Sequence, residues 1–150
     1  MNRRFEGQVI VVTGAGQGIG LRVVERASEE GAKVVLVDRA SHIHEIASSL
    51  VKQDKEAIAV EADLETWEGA VGAIENAKAH FGHIDKLINN VGGTIWAKPY
   101  EHYQPSEIEK EVRRSLFPTL WCCRAVLPAL LENGRGAIVN VSSVATRGVN

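Results

Sequence analysis

The sequence predicts an α/β protein: a doubly wound parallel sheet with helices on both faces. Short all-apolar runs alternate with amphipathic stretches along the chain, the pattern of successive βαβ units. The first run, Val9-Ile10-Val11-Val12, leads directly into a glycine-rich turn between Thr13 and Gly20. An acid, Asp38, stands at the end of the second run, 20 residues after Gly18. Apolar runs bounded by turn residues read as buried parallel strands. Right-handed crossovers then favour winding in both directions from the first strand.

The elements follow in order. The first strand is read over residues 8–12. A helix follows from Gly18 to about Glu30, with Ile19, Val23 and Ala27 on one face and Arg22, Glu25, Arg26 and Glu29 elsewhere. Gly31 ends it. The second strand is residues 34–37, closed by Asp38. Ser41 is expected to cap a helix over 42–53 whose buried stripe is Ile43, Ile46, Ala47 and Leu50. The third strand, residues 57–60, runs into Glu61-Ala62-Asp63-Leu64. Trp67, Ala70, Val71, Ile74, Ala77 and Phe81 recur at helical spacing, and Gly82 stops that helix. The fourth strand, 84–88, enters the turn Asn89-Asn90-Val91-Gly92-Gly93. After a loop over 94–104, Ser106 and Glu109 have the form of a capping box. The long helix they open runs to about Glu132, with kinks expected at Pro118 and Pro128 because each lacks an N–H. Asn133-Gly134 breaks it. The fifth strand is 137–141, with Ser142-Ser143 at its end.

Composition narrows the function classes. At 150 residues and 45% apolar content the expectation is a single globular domain over 1–150. Lys and Arg total 17 against 19 Asp and Glu, a net charge of −2 with no charge block, so no nucleic-acid or membrane partner is expected. Met1-Asn2-Arg3-Arg4 is basic, but no apolar run of signal-peptide length follows, and no stretch approaches the roughly 18 apolar residues of a membrane span. A reduced, cytoplasmic protein is the expectation. Cys122 and Cys123 are helical neighbours that point apart, which argues against a disulfide or metal site. His42, His44, His80, His83 and His102 show no metal-ligand spacing and read as surface residues.

The turn after the first strand carries the chemistry. Its glycines let the backbone approach a ligand closely. The following helix directs free N–H groups and its positive dipole end at whatever lies above the turn, a fit for a pyrophosphate. Asp38 lies where a dinucleotide fold puts the acid that hydrogen-bonds the ribose hydroxyls. An acid there repels a 2′-phosphate, so NAD is favoured over NADP, and the neighbouring Arg39 tempers that preference.

The spacing is T-G-x-x-x-G-x-G, at Thr13, Gly14, Gly18 and Gly20. With it the chain resembles the short-chain dehydrogenase/reductase family, whose cofactor-binding domain is of Rossmann type. Asp63-Leu64 looks like the family's adenine-contacting pair. Asn89-Asn90-Val91-Gly92 looks like its N-N-A-G segment, with Val91 replacing alanine. Val139-Asn140-Val141-Ser142-Ser143 looks like the strand that delivers the catalytic serine, at Ser143. The resemblance implies a cofactor site of Thr13, Gly14, Gln17, Gly18, Ile19, Gly20, Asp38, Arg39, Asp63, Leu64, Asn90, Val91 and Gly92, with NAD as cofactor and no metal. The stretches 89–100 and 113–128 are most similar to the NAD-dependent benzoate and toluate cis-diol dehydrogenases. These oxidise a 1,2-dihydroxycyclohexa-3,5-diene-1-carboxylate to a catechol with loss of carbon dioxide. The resemblance also implies a homotetramer joined through the long helix.

Two departures stand out. Ser115 occupies the position of an asparagine whose backbone carbonyl helps hold a proton-relay water in the family. Pro118 is expected to free the Arg114 carbonyl for that water. The family's Tyr-x-x-x-Lys pair, about a dozen residues beyond its serine, occurs nowhere in these 150 residues. The sequence is therefore expected to be C-terminally incomplete, either a fragment of a longer enzyme or a natural truncation, without the family's final strands. Such a chain is expected to bind cofactor poorly, turn over little or nothing, and associate through an uncovered fifth strand. Trp96 and Tyr100 are candidates for a substrate wall. Arg147, then Arg114, are candidates for the substrate carboxylate, because arginine forms bidentate pairs. The alternatives are another alcohol or diol substrate, or a non-catalytic dinucleotide-binding module.

Overall fold

The computed structural model describes residues 3–148. Met1 and Asn2, half of the basic N-terminal tetrapeptide, lie outside the described residues, as do Val149 and Asn150. Five parallel strands form one sheet, β1 (Val9–Thr13), β2 (Lys33–Asp38), β3 (Ala57–Glu61), β4 (Lys86–Asn89) and β5 (Ala137–Asn140), in the order β3-β2-β1-β4-β5. The helices are α1 (Gly18–Glu29), α2 (Ile43–Val51), α3 (Trp67–Phe81), α4 (Pro105–Ser115) and α5 (Phe117–Glu132).

The alternation of side chains along each strand divides the core into two layers. Ile10, Val12, Val34 and Leu36 pack with Val24 and Ala27 of α1 and with Ile43, Ala47 and Leu50 of α2. Val9, Val11, Val35 and Val37 face the other way, onto Ala70, Ala73, Ile74 and Ala77 of α3 and Cys122, Val126, Ala129 and Leu130 of α5. Every residue of β1 is buried, which is why this strand reads as an unbroken apolar run. The edge strand β5 differs: Ala137, Val139 and Asn140 are exposed, and only Ile138 is half-buried.

Several boundaries shift by one or two residues. β4 begins at Lys86, later than expected, because Ile10 pairs with Lys86 in the ladder. Before that, Asp85 accepts the Val9 N–H through its carboxylate at 2.8 Å. Ser41 does not cap α2: His42 holds the cap position in a helical conformation, with no side-chain cap bond. The capping box falls earlier than Ser106. Pro105 opens α4, and the Glu107 carboxylate accepts the N–H of Gln104 at 2.8 Å. Proline at the first helical position is already set in φ and lacks an N–H the helix does not need.

The single long helix is instead two. α4 ends at Ser115, Leu116 separates the pair, and Pro118 sits in the first turn of α5. Pro128 does not divide α5, which continues to Glu132. The difference is positional: Pro118 falls where a new helix start tolerates it, whereas Pro128 is exposed between the buried Val126 and Ala129 that hold α5 to the sheet. No helix among the described residues is long and apolar enough to cross a membrane.

Candidate functional site

The C-terminal ends of β1 to β4 open into a cleft of about 320 Å³. It lies where the winding reverses, between β1 and β4, the switch point at which open α/β sheets bind ligands. After β1 the described lining is Gly14, Gln17, Gly18 and Ile19; after β2, Asp38 and Arg39; after β3, Asp63 and Leu64; after β4, Asn90, Val91 and Gly92. Arg114 of α4 completes it, so this residue borders the cleft expected for the cofactor.

Thr13 and Gly20 stand behind the lining and shape it. The buried Thr13 hydroxyl accepts the N–H groups of Asn90 at 3.0 Å and Val91 at 3.3 Å, tying β1 to the β4 turn. Asn90 Nδ2 donates to the Gly14 carbonyl at 3.3 Å. A Cβ on Gly20 would lie 2.1 Å from that carbonyl oxygen, so only glycine lets α1 descend onto the turn. No side chain caps α1, which leaves its first-turn N–H groups available at the positive end of the helix.

Asp38 closes the cleft on the β2 side. Its Oδ2 accepts the Gly16 N–H at 3.0 Å and its Oδ1 accepts the Ala40 N–H at 3.1 Å. A carboxylate has about four acceptor directions, so two bonds hold it in place and leave room for a ribose diol. Asp63 Oδ1 accepts the Glu65 N–H at 3.0 Å, while Leu64 is buried in the core below. Uncapped helical N–H groups, a close-packed glycine turn and a fixed carboxylate fit the diphosphate and ribose of a dinucleotide.

The remaining candidates lie outside this cleft. Ser143 follows β5 at the same end of the sheet, and its Oγ accepts the Ala145 N–H at 3.1 Å. Arg147 ends the 3-10 turn Val144–Arg147 and is exposed. Ser115 grips the β4–α4 connection: its hydroxyl donates to the Gly93 carbonyl at 2.9 Å and lies 3.3 Å from the Gly93 N–H. Trp96 stacks edge-on against Tyr103 with Lys98 over its ring, and Tyr100 is 74% exposed beside them. These aromatics form a cluster on the loop and do not line the cleft.

Some residues at or beside the site were not read as site residues from the sequence. Gly16 is buried in the glycine-rich turn after β1; its only signal was an additional glycine between Gly14 and Gly18. His42 is exposed, yet its Nε2 lies 2.9 Å from the Gly16 carbonyl. Glu111 accepts the N–H groups of Ile95 and Trp96, each at 3.0 Å, and these bonds hold its carboxyl below the usual carboxylate range. Asn89 points away from the cleft: its Nδ2 donates to Asn140 Oδ1 at 2.9 Å and lies 3.3 Å from Cys123 Sγ. Burial pushes the Cys122 thiol up to about 12, consistent with a packing residue. Among the described residues no group of three His, Cys, Asp or Glu could hold a metal ion.

Comparison with known proteins follows the same lines. The family model for short chain dehydrogenase matches residues 8–149. A 1,6-dihydroxycyclohexa-2,4-diene-1-carboxylate dehydrogenase of Pseudomonas putida is 59% identical over 150 residues, covering 100% of this chain and 55% of that protein. An Acinetobacter baylyi protein of the same description is 52% identical over 148 residues, covering 99% of this chain and 57% of its own length. The chain thus spans about half the length of these relatives. Among solved structures, an NAD+-bound xylitol dehydrogenase superposes with a TM-score of 0.91 at 28% identity, covering 98% of this chain and 57% of that one.

Proposed function

Since the chain belongs to the short chain dehydrogenase family, we propose that it forms the cofactor-binding part of an NAD-dependent oxidoreductase acting on a cis-dihydrodiol carboxylate. The observation that carries the reading is the fixed Asp38 carboxylate at the edge of a cleft floored by an uncapped helix N-terminus. The likeness to two dihydroxycyclohexadiene carboxylate dehydrogenases supports the substrate class.

In this reading the turn after β1, with the first-turn N–H groups of α1, holds the diphosphate of the dinucleotide. Asp38 accepts from the adenosine ribose hydroxyls and repels a 2′-phosphate. When bound, the nicotinamide supplies the hydride acceptor. Ser143 holds the oxygen of the reacting hydroxyl, and Arg147 pairs with the substrate carboxylate. Oxidation of the secondary hydroxyl leaves a ketone next to the carbon that bears the carboxylate. Such a β-keto acid loses carbon dioxide, and the remaining ring is a catechol. A homotetramer of the complete enzyme, joined through α4 and α5, belongs to the same proposal. The exposed Val112, Leu116, Leu120, Leu127 and Leu131 support it.

Ligand-observed NMR, which reads weak affinities, tests the cofactor reading on the 150-residue chain. NADH is expected to bind more tightly than NADPH, and Asp38→Asn is expected to narrow that gap at least threefold. Equal or tighter binding of NADPH to the unaltered chain would overturn it.

A further inference from the structure

We propose that His42 is a positioning residue that fixes the phosphate turn and, through it, the discrimination between a free ribose 2′-hydroxyl and a 2′-phosphate. The proposal deepens the dinucleotide reading of the cleft and rests on it.

The geometry centres on one residue, Gly16, and the peptides on either side of it. The Gly16 N–H donates to Asp38 Oδ2 at 3.0 Å, and the Gly16 carbonyl lies 2.9 Å from His42 Nε2. A carbonyl only accepts, so Nε2 carries the hydrogen, in the neutral and the protonated ring alike. A Cβ on Gly16 would stand 2.9 Å from His42 Nε2 and 3.1 Å from Asp38 Oδ2. The imidazole and the carboxylate therefore close over the same small piece of backbone, and glycine leaves them the space. Asp38 ends β2 and His42 holds the cap position of α2, so the two ends of the β2–α2 connection grip a single turn residue at its donor and its acceptor.

His42 does nothing comparable for its own helix. It occupies the cap position of α2, where Ser, Thr, Asp and Asn are preferred, and makes no side-chain cap bond. Its donor reaches 26 residues back along the chain to the turn instead. The opposite side of that turn is already fixed by Asn90 Nδ2 on the Gly14 carbonyl and by the Thr13 hydroxyl. His42 supplies the matching restraint on the β2 side. Without it the Gly16–Gln17 peptide loses this tie, the glycine between the two peptides is freer to turn, and its N–H, one of the two that orient the Asp38 carboxylate, holds that carboxylate less firmly. Where that negative charge sits determines how strongly a 2′-phosphate is rejected.

The test compares ADP-ribose with its 2′-phosphate on the 150-residue chain by ligand-observed NMR. The variants are His42→Ala and His42→Gln, with thermal midpoints measured in parallel. His42→Ala is expected to weaken ADP-ribose roughly three- to tenfold, the usual size of one lost hydrogen bond. It is also expected to shrink the preference over the 2′-phosphate, while the thermal midpoint stays put because the side chain is exposed. His42→Gln, which retains an N–H donor, is expected to recover most of both. An unchanged affinity and preference in His42→Ala, or a His42→Gln no better than His42→Ala, overturns the proposal. If the unaltered chain binds the 2′-phosphate as tightly as ADP-ribose, the NAD reading itself falls, an outcome seen before any substitution is made and so distinct from failure of the proposal.

Discussion

At the residue scale, the absence of one methyl group makes the cleft possible. The 2.1 Å separation between a Cβ at position 20 and the Gly14 carbonyl involves backbone on both sides, so no side chain can swing away to relieve it. Gly20→Ala is expected to lift α1 off the turn at about 1–3 kcal/mol, a typical cost of overpacking. Calorimetry should register a lower thermal midpoint, and ligand-observed NMR a loss of NADH binding of more than tenfold. An alanine variant with both unchanged would mean that α1 does not press on the turn. The same scale shows what the Ser115 side chain does. At its position the family's asparagine is noted for its carbonyl, whereas here the side-chain hydroxyl holds both polar groups of Gly93.

At the scale of elements, a carboxylate joins three pieces at the far end of the sheet from the cleft. Asp85 is 3% exposed. Burial alone would raise its pKa. The Val9 N–H, the Asn133 amide and the nearby His83 and Arg135 side chains outweigh burial and hold it below the usual 3.8. A carboxyl whose pKa is lowered by folding contributes stability that is complete above its unfolded value and is lost as pH falls through the folded one. Asp85→Asn is therefore expected to cost about 1–3 kcal/mol at neutral pH. Its deficit relative to the unaltered chain should shrink from about pH 4 downward, as read from urea midpoints. A constant deficit across that range would show that charge is not what Asp85 contributes. The same ties explain the late start of β4: the carboxylate, rather than the ladder, satisfies the Val9 N–H.

At the scale of the whole molecule, the sheet is covered unevenly. Between α1 and the adjoining face of β4 and β5 lies an apolar groove of about 880 Å³, bordered by Ile10, Ile19, Val23, Ile88, Ala137 and Val139. Val139 is 49% exposed, and β5 is an edge strand. Exposed apolar surface beside an unpaired edge promotes association. The 150-residue chain is expected to self-associate in sedimentation velocity as concentration rises, and Val139→Lys is expected to suppress it. A monodisperse monomer at all concentrations would contradict this.

Much of the fold and of the cleft could be read from neighbours in sequence. The buried run Val9–Thr13, the stripe of α1, the glycine spacing and Asp38 are each local patterns whose physics acts over a few residues. They determined the parallel doubly wound sheet, the position of the glycine-rich turn and the acid beside it. Tertiary structure alone decided that Pro118 starts a helix while Pro128 stays within one, because only packing against the sheet shows which turn can do without a donor. It also decided that Arg114 borders the cleft, that Trp96 and Tyr100 do not, and that His42 serves the turn. These outcomes depend on contacts between residues distant in sequence, and no local periodicity encodes which side chain meets which backbone group across that distance.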